Sequence, residues 1–216
     1  EAAAKKPLGH ARTPEEARLI GEVNTVVRRG DQLIGENTDG KGFLRGVRQD
    51  GGVDPKGKRA VVLGAGGAAR AIATELLLAG ISELVVVNRS VERGAAMVRH
   101  LADGTRGPIR FEPWVGTYTV PGDADLFVNA TSIGLYPNVD ACPDVDLTGA
   151  ADTLLVCDAV FNPPVTGLIA MARSRGLRVL DGLSMLVYQG VIGFELWTGV
   201  KAPEGVMKEA LSQALA

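Results

Sequence analysis

Cysteine, histidine and aromatic side chains are scarce in these 216 residues: two cysteines, two histidines, and 5% Phe, Trp and Tyr combined. Two cysteines in a chain of this length cannot build a disulfide scaffold, and Cys142 and Cys157 lack the spacing of metal ligands. Both read as packing residues in a reducing, cytoplasmic setting, with no metal expected. Strong charge of either sign is missing too. A formal net charge of -2 gives no general electrostatic pull toward nucleic acid or an anionic membrane. No apolar run is long enough to span a bilayer, since stretches such as LSMLVYQGVIGF are short or interrupted. No secretion signal is visible. What these absences leave is a globular chain that acts on small molecules, and 46% hydrophobic residues suffice for a sizeable core.

Residues 59–71, RAVVLGAGGAARA, carry the strongest signal. An apolar β-type run stops at a glycine cluster and continues as an alanine-rich helix, which is how a dinucleotide pyrophosphate is held. Gly64 permits the tight turn, Gly66 lets backbone approach the phosphates, and Ala69 in the third place lets helix pack on strand. Gly64, Ala65, Gly66, Gly67 and Ala68 are therefore candidate cofactor contacts. A second apolar strand, ELVVVN, follows the helical run AIATELLLAG and completes a βαβ spacing. Its end decides the cofactor. An acid there would accept a ribose hydroxyl and repel a 2′-phosphate. Asn88 is neutral, and Arg89 and Arg93, flanking Ser90, could clamp a phosphate, so NADP is expected over NAD. The plain alternative, solvated arginines at a helix start, has to explain cations where the helix dipole disfavours them.

Residues 22–29 and 32–37 read as two strands joined by the turn pair Gly30-Asp31, followed by a helix from Asp39 to about Gln49. The stretch 50–58, DGGVDPKGK, reads as a boundary compatible with hinge motion. Further strand signals at 108–112, 125–130, 154–160 and 177–181 alternate with helical runs such as VERGAAMVRHLAD and TGLIAMARSRG. Apolar strands alternating with helices predict an α/β fold, a Rossmann-type doubly wound parallel sheet. Two helices, from about Leu183 to Thr198 and Pro203 to Leu215, close the chain. Met185, Leu186, Phe194 and Trp197 at helical spacing in the first of them read as core.

Six motifs stand in one order: IGEVNTVV (20–27), GENTDGKGF (35–43), GAGGAARA (64–71), NRSVER (88–93), NATSIG (129–134) and DGLSMLVYQG (181–190). From about residue 15 to the end the chain resembles the shikimate dehydrogenase family, which interconverts 3-dehydroshikimate and shikimate, or oxidises quinate, with a nicotinamide cofactor. The resemblance implies the C-terminal part of an α/β substrate domain at 1–50, an NADP-binding domain at 51–182, and closing helices at 183–216. It implies that Asn24, Asp39 and Gln189 contact the substrate, that Asp39 works with a lysine in proton transfer, and that Asn129, Thr131, Ser132 and Met185 lie beside the nicotinamide.

The chemistry asks for the same residue types. As hydride reaches a ketone carbon, charge grows on oxygen, and a positioned acid contributes about 100-fold to 10,000-fold. Asp39 opens a helix, so capping is its plain structural role. Asn24 is expected within a strand, where Asn is disfavoured and its amide needs partners that a polyol supplies. For Gln189, on an otherwise apolar helix, the alternative is an amide bonded to backbone.

Departures from the family pattern accompany the matches. The family's lysine belongs to a motif of the type NVTxPxK, which this sequence lacks. Lys5 and Lys6 have no proline context and read as solvated helix lysines, and His10 has no catalytic claim. The sequence opens on Glu1 rather than Met, so an upstream segment is expected. Phe161 stands where the family commonly has a tyrosine, and Ser184 where glycine is frequent. These changes leave open a relative acting on quinate, an aminoshikimate or another cyclic polyol, and a module that binds NADP without catalysis. A folded enzyme of another class on a similar plan, such as a folate-linked dehydrogenase, shares architecture alone.

Overall fold

A computed structural model describes residues 13–215, so Lys5, Lys6 and His10 lie outside the described residues. In chain order the elements begin with α1 (Glu15–Ile20), β1 (Thr25–Arg29), β2 (Gln32–Glu36) and α2 (Asp39–Gln49). Then come β3 (Arg59–Leu63), α3 (Gly67–Leu78), β4 (Glu83–Asn88), α4 (Val91–Thr105) and β5 (Ile109–Pro113). The second half holds β6 (Tyr118–Thr119), β7 (Leu126–Asn129), β8 (Val145–Asp146), β9 (Leu155–Asp158), α5 (Gly167–Ser174) and β10 (Arg178–Leu180). Helices α6 (Gly182–Thr198) and α7 (Glu204–Ala214) follow.

Six strands form one parallel sheet in the order β10-β9-β7-β3-β4-β5. The apolar runs are continuous because both faces are covered. Ala60 and Val62 of β3, Leu84 and Val86 of β4, and Leu126 and Val128 of β7 pack under α3, α4 and α2. Their neighbours Val61, Leu63, Val85, Val87 and Phe127 pack on the other face with Leu168 and Ala172 of α5. Side chains of a strand alternate between faces, so a strand buried on both sides has no polar position to spare. Strand order reverses between β3 and β7, and such a switch opens a crevice at the carboxyl ends of the strands.

The hairpin β1–β2 is antiparallel, with Thr25 opposite Glu36 and Arg29 opposite Gln32, as its turn pair predicts. Helix α2 starts and stops where expected and packs on both α6 and α3. Four expectations are corrected. Asn24 precedes β1 rather than lying within it, although its N–H still donates to Glu36 O at 3.1 Å. Trp197 is 64% exposed and Phe194 lies at the surface, so these two are not core; the Trp197 indole N–H instead donates to Val26 O at 3.0 Å. Cys157 is buried, whereas Cys142 is exposed. The short helix α1 and the parallel pair β6–β8 were not anticipated. No helix among the described residues is long and apolar enough to cross a membrane.

Candidate active site

At the sheet's switch point, β3 ends and Gly64 turns the chain with φ +112, a region that side chains rarely adopt. A Cβ there would stand 2.7 Å from Ala130 O, beyond the end of the adjacent strand β7, so the turn requires glycine twice over. Gly66 then caps α3 in an extended conformation, with no side-chain hydrogen bond to the helix's first N–H groups. A Cβ on Gly66 would meet nothing within 4 Å, while Ala69 behind it is fully buried. Ala65, Gly67 and Ala68 are half-buried around this opening. Outward-facing N–H groups at a helix's positive end form a seat for an anion.

Beside that seat β4 ends at Asn88, whose Nδ2 donates to Ser90 O at 2.9 Å. Ser90 Oγ caps α4 by accepting from Arg93 N. Arg89 and Arg93 are exposed and form no ion pair among the described residues. Two uncompensated guanidinium groups at the unfavourable end of a helix fit a 2′-phosphate, which would neutralise both. The residues present thus fit NADP.

On the other side of the switch point, Asn129 is fully buried and every polar atom of its side chain is engaged. Its Nδ2 donates to Asp158 Oδ1 at 2.9 Å, and its Oδ1 accepts from Thr131 N at 3.1 Å and Thr131 Oγ1 at 2.7 Å. Thr131 Oγ1 accepts from Ile133 N in turn. Asp158, register partner of Asn129, also accepts from Val160 N at 2.9 Å and from Thr166 Oγ1 at 2.6 Å. Burial pushes the Asp158 carboxyl up to about 6 although three donors pull it back. The side chain of Asn129 is therefore committed to shaping the turn that presents half-buried Thr131 and exposed Ser132. Neither Asp158 nor Thr166 was singled out from sequence. The available signal was a carboxylate closing the apolar run LLVCD at the carboxyl end of a central strand, where an unpaired acid is costly.

The opposing wall comes from the segment before β1, the start of α2, and α6. Asn24 Nδ2 donates to Asp39 Oδ1 at 2.9 Å, and Asn24 Oδ1 accepts from Thr38 N at 2.9 Å. Thr38 Oγ1 lies 3.3 Å from Asn24 Oδ1 and 3.4 Å from Gln189 Oε1, two acceptors for one proton. Gln189 Nε2 donates to Leu186 O at 3.1 Å. Asp39 does not cap its helix: the N-cap is Thr38, and Asp39's carboxylate points to Asn24 instead. Burial raises the Asp39 carboxyl above its ordinary value, the Asn24 hydrogen bond lowers it, and the charge of Glu22 raises it further. Thr38, fully buried at the centre of this cluster, was missed, although it stands inside the NTDG motif.

Helix α6 reaches this wall because α2 has no side chain at Gly42, where a Cβ would stand 2.6 Å from Gln189 N and 2.9 Å from Met185 O. Met185 is partly buried against the face of the sheet that carries Val62 and Val128. Ser184 Oγ donates to Asp50 Oδ2 at 2.7 Å, tying α6 to the end of α2, and Phe161 is 38% exposed.

Residues 48–132 match the family model described as shikimate/quinate 5-dehydrogenase, and residues 182–211 match the shikimate 5′-dehydrogenase C-terminal domain. The shikimate dehydrogenase (NADP(+)) of Desulforamulus reducens is 41% identical over 204 residues, covering 93% of this chain and 69% of that protein. Among solved structures, the 5-ketofructose reductase of a Gluconobacter species superposes with a TM-score of 0.88 at 44% identity, over 94% of this chain and 72% of that one. The shikimate 5-dehydrogenase of Thermus thermophilus in complex with NADP(H) and shikimate has a TM-score of 0.76 at 37% identity, over 94% and 72%. With a glycine cradle at a parallel-sheet switch point, and relatives of this identity along nearly its whole length, the chain belongs to the shikimate/quinate dehydrogenase family of NADP-dependent oxidoreductases.

Proposed function

We propose that this protein interconverts 3-dehydroshikimate and shikimate with NADP, in the cytoplasm. The observation that carries the reading is the hydrogen-bonded wall of Asn24, Thr38, Asp39 and Gln189, an array of donors and acceptors suited to ring hydroxyls, at the start of a helix whose Gly40 packs against α3. Bound NADPH supplies the hydride. Asn24 and Gln189 orient the substrate hydroxyls. Asp39 Oδ1 is occupied by Asn24, which leaves Oδ2 to hold or pass a proton, and a raised carboxyl suits that exchange better than an ordinary one. Lys41 is committed to Glu36 at 2.8 Å, so the lysine that would work with Asp39 is not assigned to it.

The glycine turn with Ala65, Gly67 and Ala68 receives the diphosphate, while Arg89 and Arg93, set by Asn88 and Ser90, clamp the 2′-phosphate. Thr131, Ser132 and Met185 border the nicotinamide, with Asn129 and Asp158 as positioning residues. In this reading 1–50 belong to a substrate domain, 51–182 bind NADP, and 183–216 contact both.

A second reading is a related reductase acting on another polyol ketone. It is favoured by the 44% identity to a 5-ketofructose reductase and by Phe161, which cannot offer a tyrosine hydroxyl. Full-length protein is incubated with NADP and shikimate or quinate, and with NADPH and 5-ketofructose, following absorbance of the reduced nicotinamide. Fastest turnover with shikimate, lost in Asp39→Asn with NADP binding intact, is expected. Preference for another substrate establishes the second reading, and no turnover with any of them makes the chain an NADP-binding module.

A further inference from the structure

The anion seat at the start of α3 already faces a negative charge of the chain's own. Gly67 is the first residue of α3, and a Cβ built on it would lie 3.0 Å from Glu22 Cδ and 3.1 Å from Glu22 Oε1. The carboxylate belongs to the segment between α1 and β1, and two contacts hold that segment in place. Arg70 Nη1, on α3, donates to Ile20 O at 2.9 Å, and Asn37 Nδ2 donates to Glu22 O at 3.3 Å. Helix α3 brings no acid of its own to its first turn, and its cap Gly66 offers no side-chain acceptor. Glu22 is exposed and forms no ion pair among the described residues, and its carboxylate lies against the first turn of α3.

We propose that Glu22 competes with the cofactor's diphosphate for the N-terminus of α3, so that NADP binds only as the Glu22 side chain swings off Gly67. This rests on the reading above that the glycine turn seats the diphosphate. A carboxylate packed against Gly67 and a diphosphate at the same helix end are like charges, and two such charges about 4 Å apart in water repel enough to change an equilibrium about sixfold. Glu22 also acts on Asp39 from the same position, which makes it a charge common to the cofactor and substrate halves of the cleft. Moving it off Gly67 changes the field at both.

The test is calorimetric titration of full-length wild-type protein and Glu22→Gln with NADP and, separately, with adenosine 2′-monophosphate, which carries the 2′-phosphate but no diphosphate. Expected is an NADP Kd about three- to tenfold lower in the variant at low ionic strength, a gap that narrows with added salt, and no change for the monophosphate. An NADP Kd unchanged or raised in Glu22→Gln, with wild type binding NADP, overturns the competition and leaves the cofactor reading standing. Equal tightening of both ligands also overturns it, since the effect would then not act through the diphosphate. Failure of both proteins to bind NADP removes the cofactor reading and this inference together.

Discussion

Replacing Asp158 with asparagine isolates the electrostatic strain beneath the turn at Thr131. The carboxyl is 2% exposed, accepts from Asn129, Val160 and Thr166, and is pushed by burial from 3.8 up to about 6. Its proton is held more tightly in the folded than in the unfolded chain. The stability it contributes is therefore full only well below 3.8, where both states are protonated, and is lost progressively as pH rises from there through about 6. At 1.36 kcal/mol per unit the loss is about 3 kcal/mol. An asparagine can preserve the contacts: its carbonyl takes the place of Oδ1, accepting from Asn129 and Val160, and its amide faces Thr166 Oγ1. That hydroxyl already accepts from Ile169 N at 3.3 Å and can rotate to accept once more. Urea midpoints of wild type and Asp158→Asn at pH 4 and pH 7 give paired differences in which every other carboxylate cancels. Asp158→Asn is expected to gain about 2 kcal/mol relative to wild type between the two conditions. A difference that does not change with pH refutes the assignment of the strain to Asp158.

Gly42→Ala places a Cβ 2.6 Å from Gln189 N, and the separation of α2 from α6 should cost about 1–3 kcal/mol in urea denaturation and lower kcat as Gln189 moves; unchanged stability would show that the helices do not depend on this approach. Arg89→Ala and Arg93→Ala should each raise the Kd for NADP about tenfold or more while leaving NAD nearly unaffected, and equal losses for both cofactors would contradict a 2′-phosphate clamp. Lys208 donates to Tyr188 Oη at 2.7 Å and Asp50 Oδ1 at 2.9 Å. Lys208→Met should cost about 1 kcal/mol or less after solvent screening, read as a lowered Tm, and a cost of several kcal/mol would mean that the network is far drier than its exposure indicates.

The parallel sheet was legible because a strand covered on both faces leaves a short uninterrupted apolar run, and these runs alternate with helical ones. Helix α2 was legible from its start at Asp39 and the break after Gln49. The six residues of α1 are too few to show a period, and it is fixed by burying Ala17, Leu19 and Ile20. The pair β6–β8 has two residues per strand, joined across a long sequence separation, so tertiary contact alone defines it. In the site, Asn24 and Asp39, which the resemblance names, are hydrogen-bonded, and Gln189 meets them through Thr38. Thr38, which bridges Asn24 and Gln189, and Asp158, which with Thr166 anchors Asn129, stayed hidden because Asn24, Gln189 and Asn129 are distant from them in sequence. Trp197 was misread because helical spacing reports which residues share a face, not whether that face is covered.

Helix α2 explains how the two halves of the cleft keep their distance. Gly40, Gly42 and Gly46 each cost about 1 kcal/mol of helix stability relative to alanine. Each stands where a neighbour comes too close for a side chain or nearly so. A Cβ on Gly40 would lie 2.8 Å from the Ala71 carbonyl carbon of α3, one on Gly42 would strike α6, and one on Gly46 would lie 3.2 Å from Ser184 Cβ. Backbone-to-backbone contact fixes spacing more firmly than contact through flexible side chains, since no rotamer change can absorb a displacement. Asp39, one residue before Gly40, is thereby referenced to the helix that begins at the glycine turn and, through Gly42, to the helix that carries Gln189. Hydride transfer depends on reacting atoms held about 3–3.5 Å apart. A helix poor in propensity but close on both sides is a physical means of fixing Asp39 and its hydrogen-bonded neighbours relative to the helix that begins at the glycine turn.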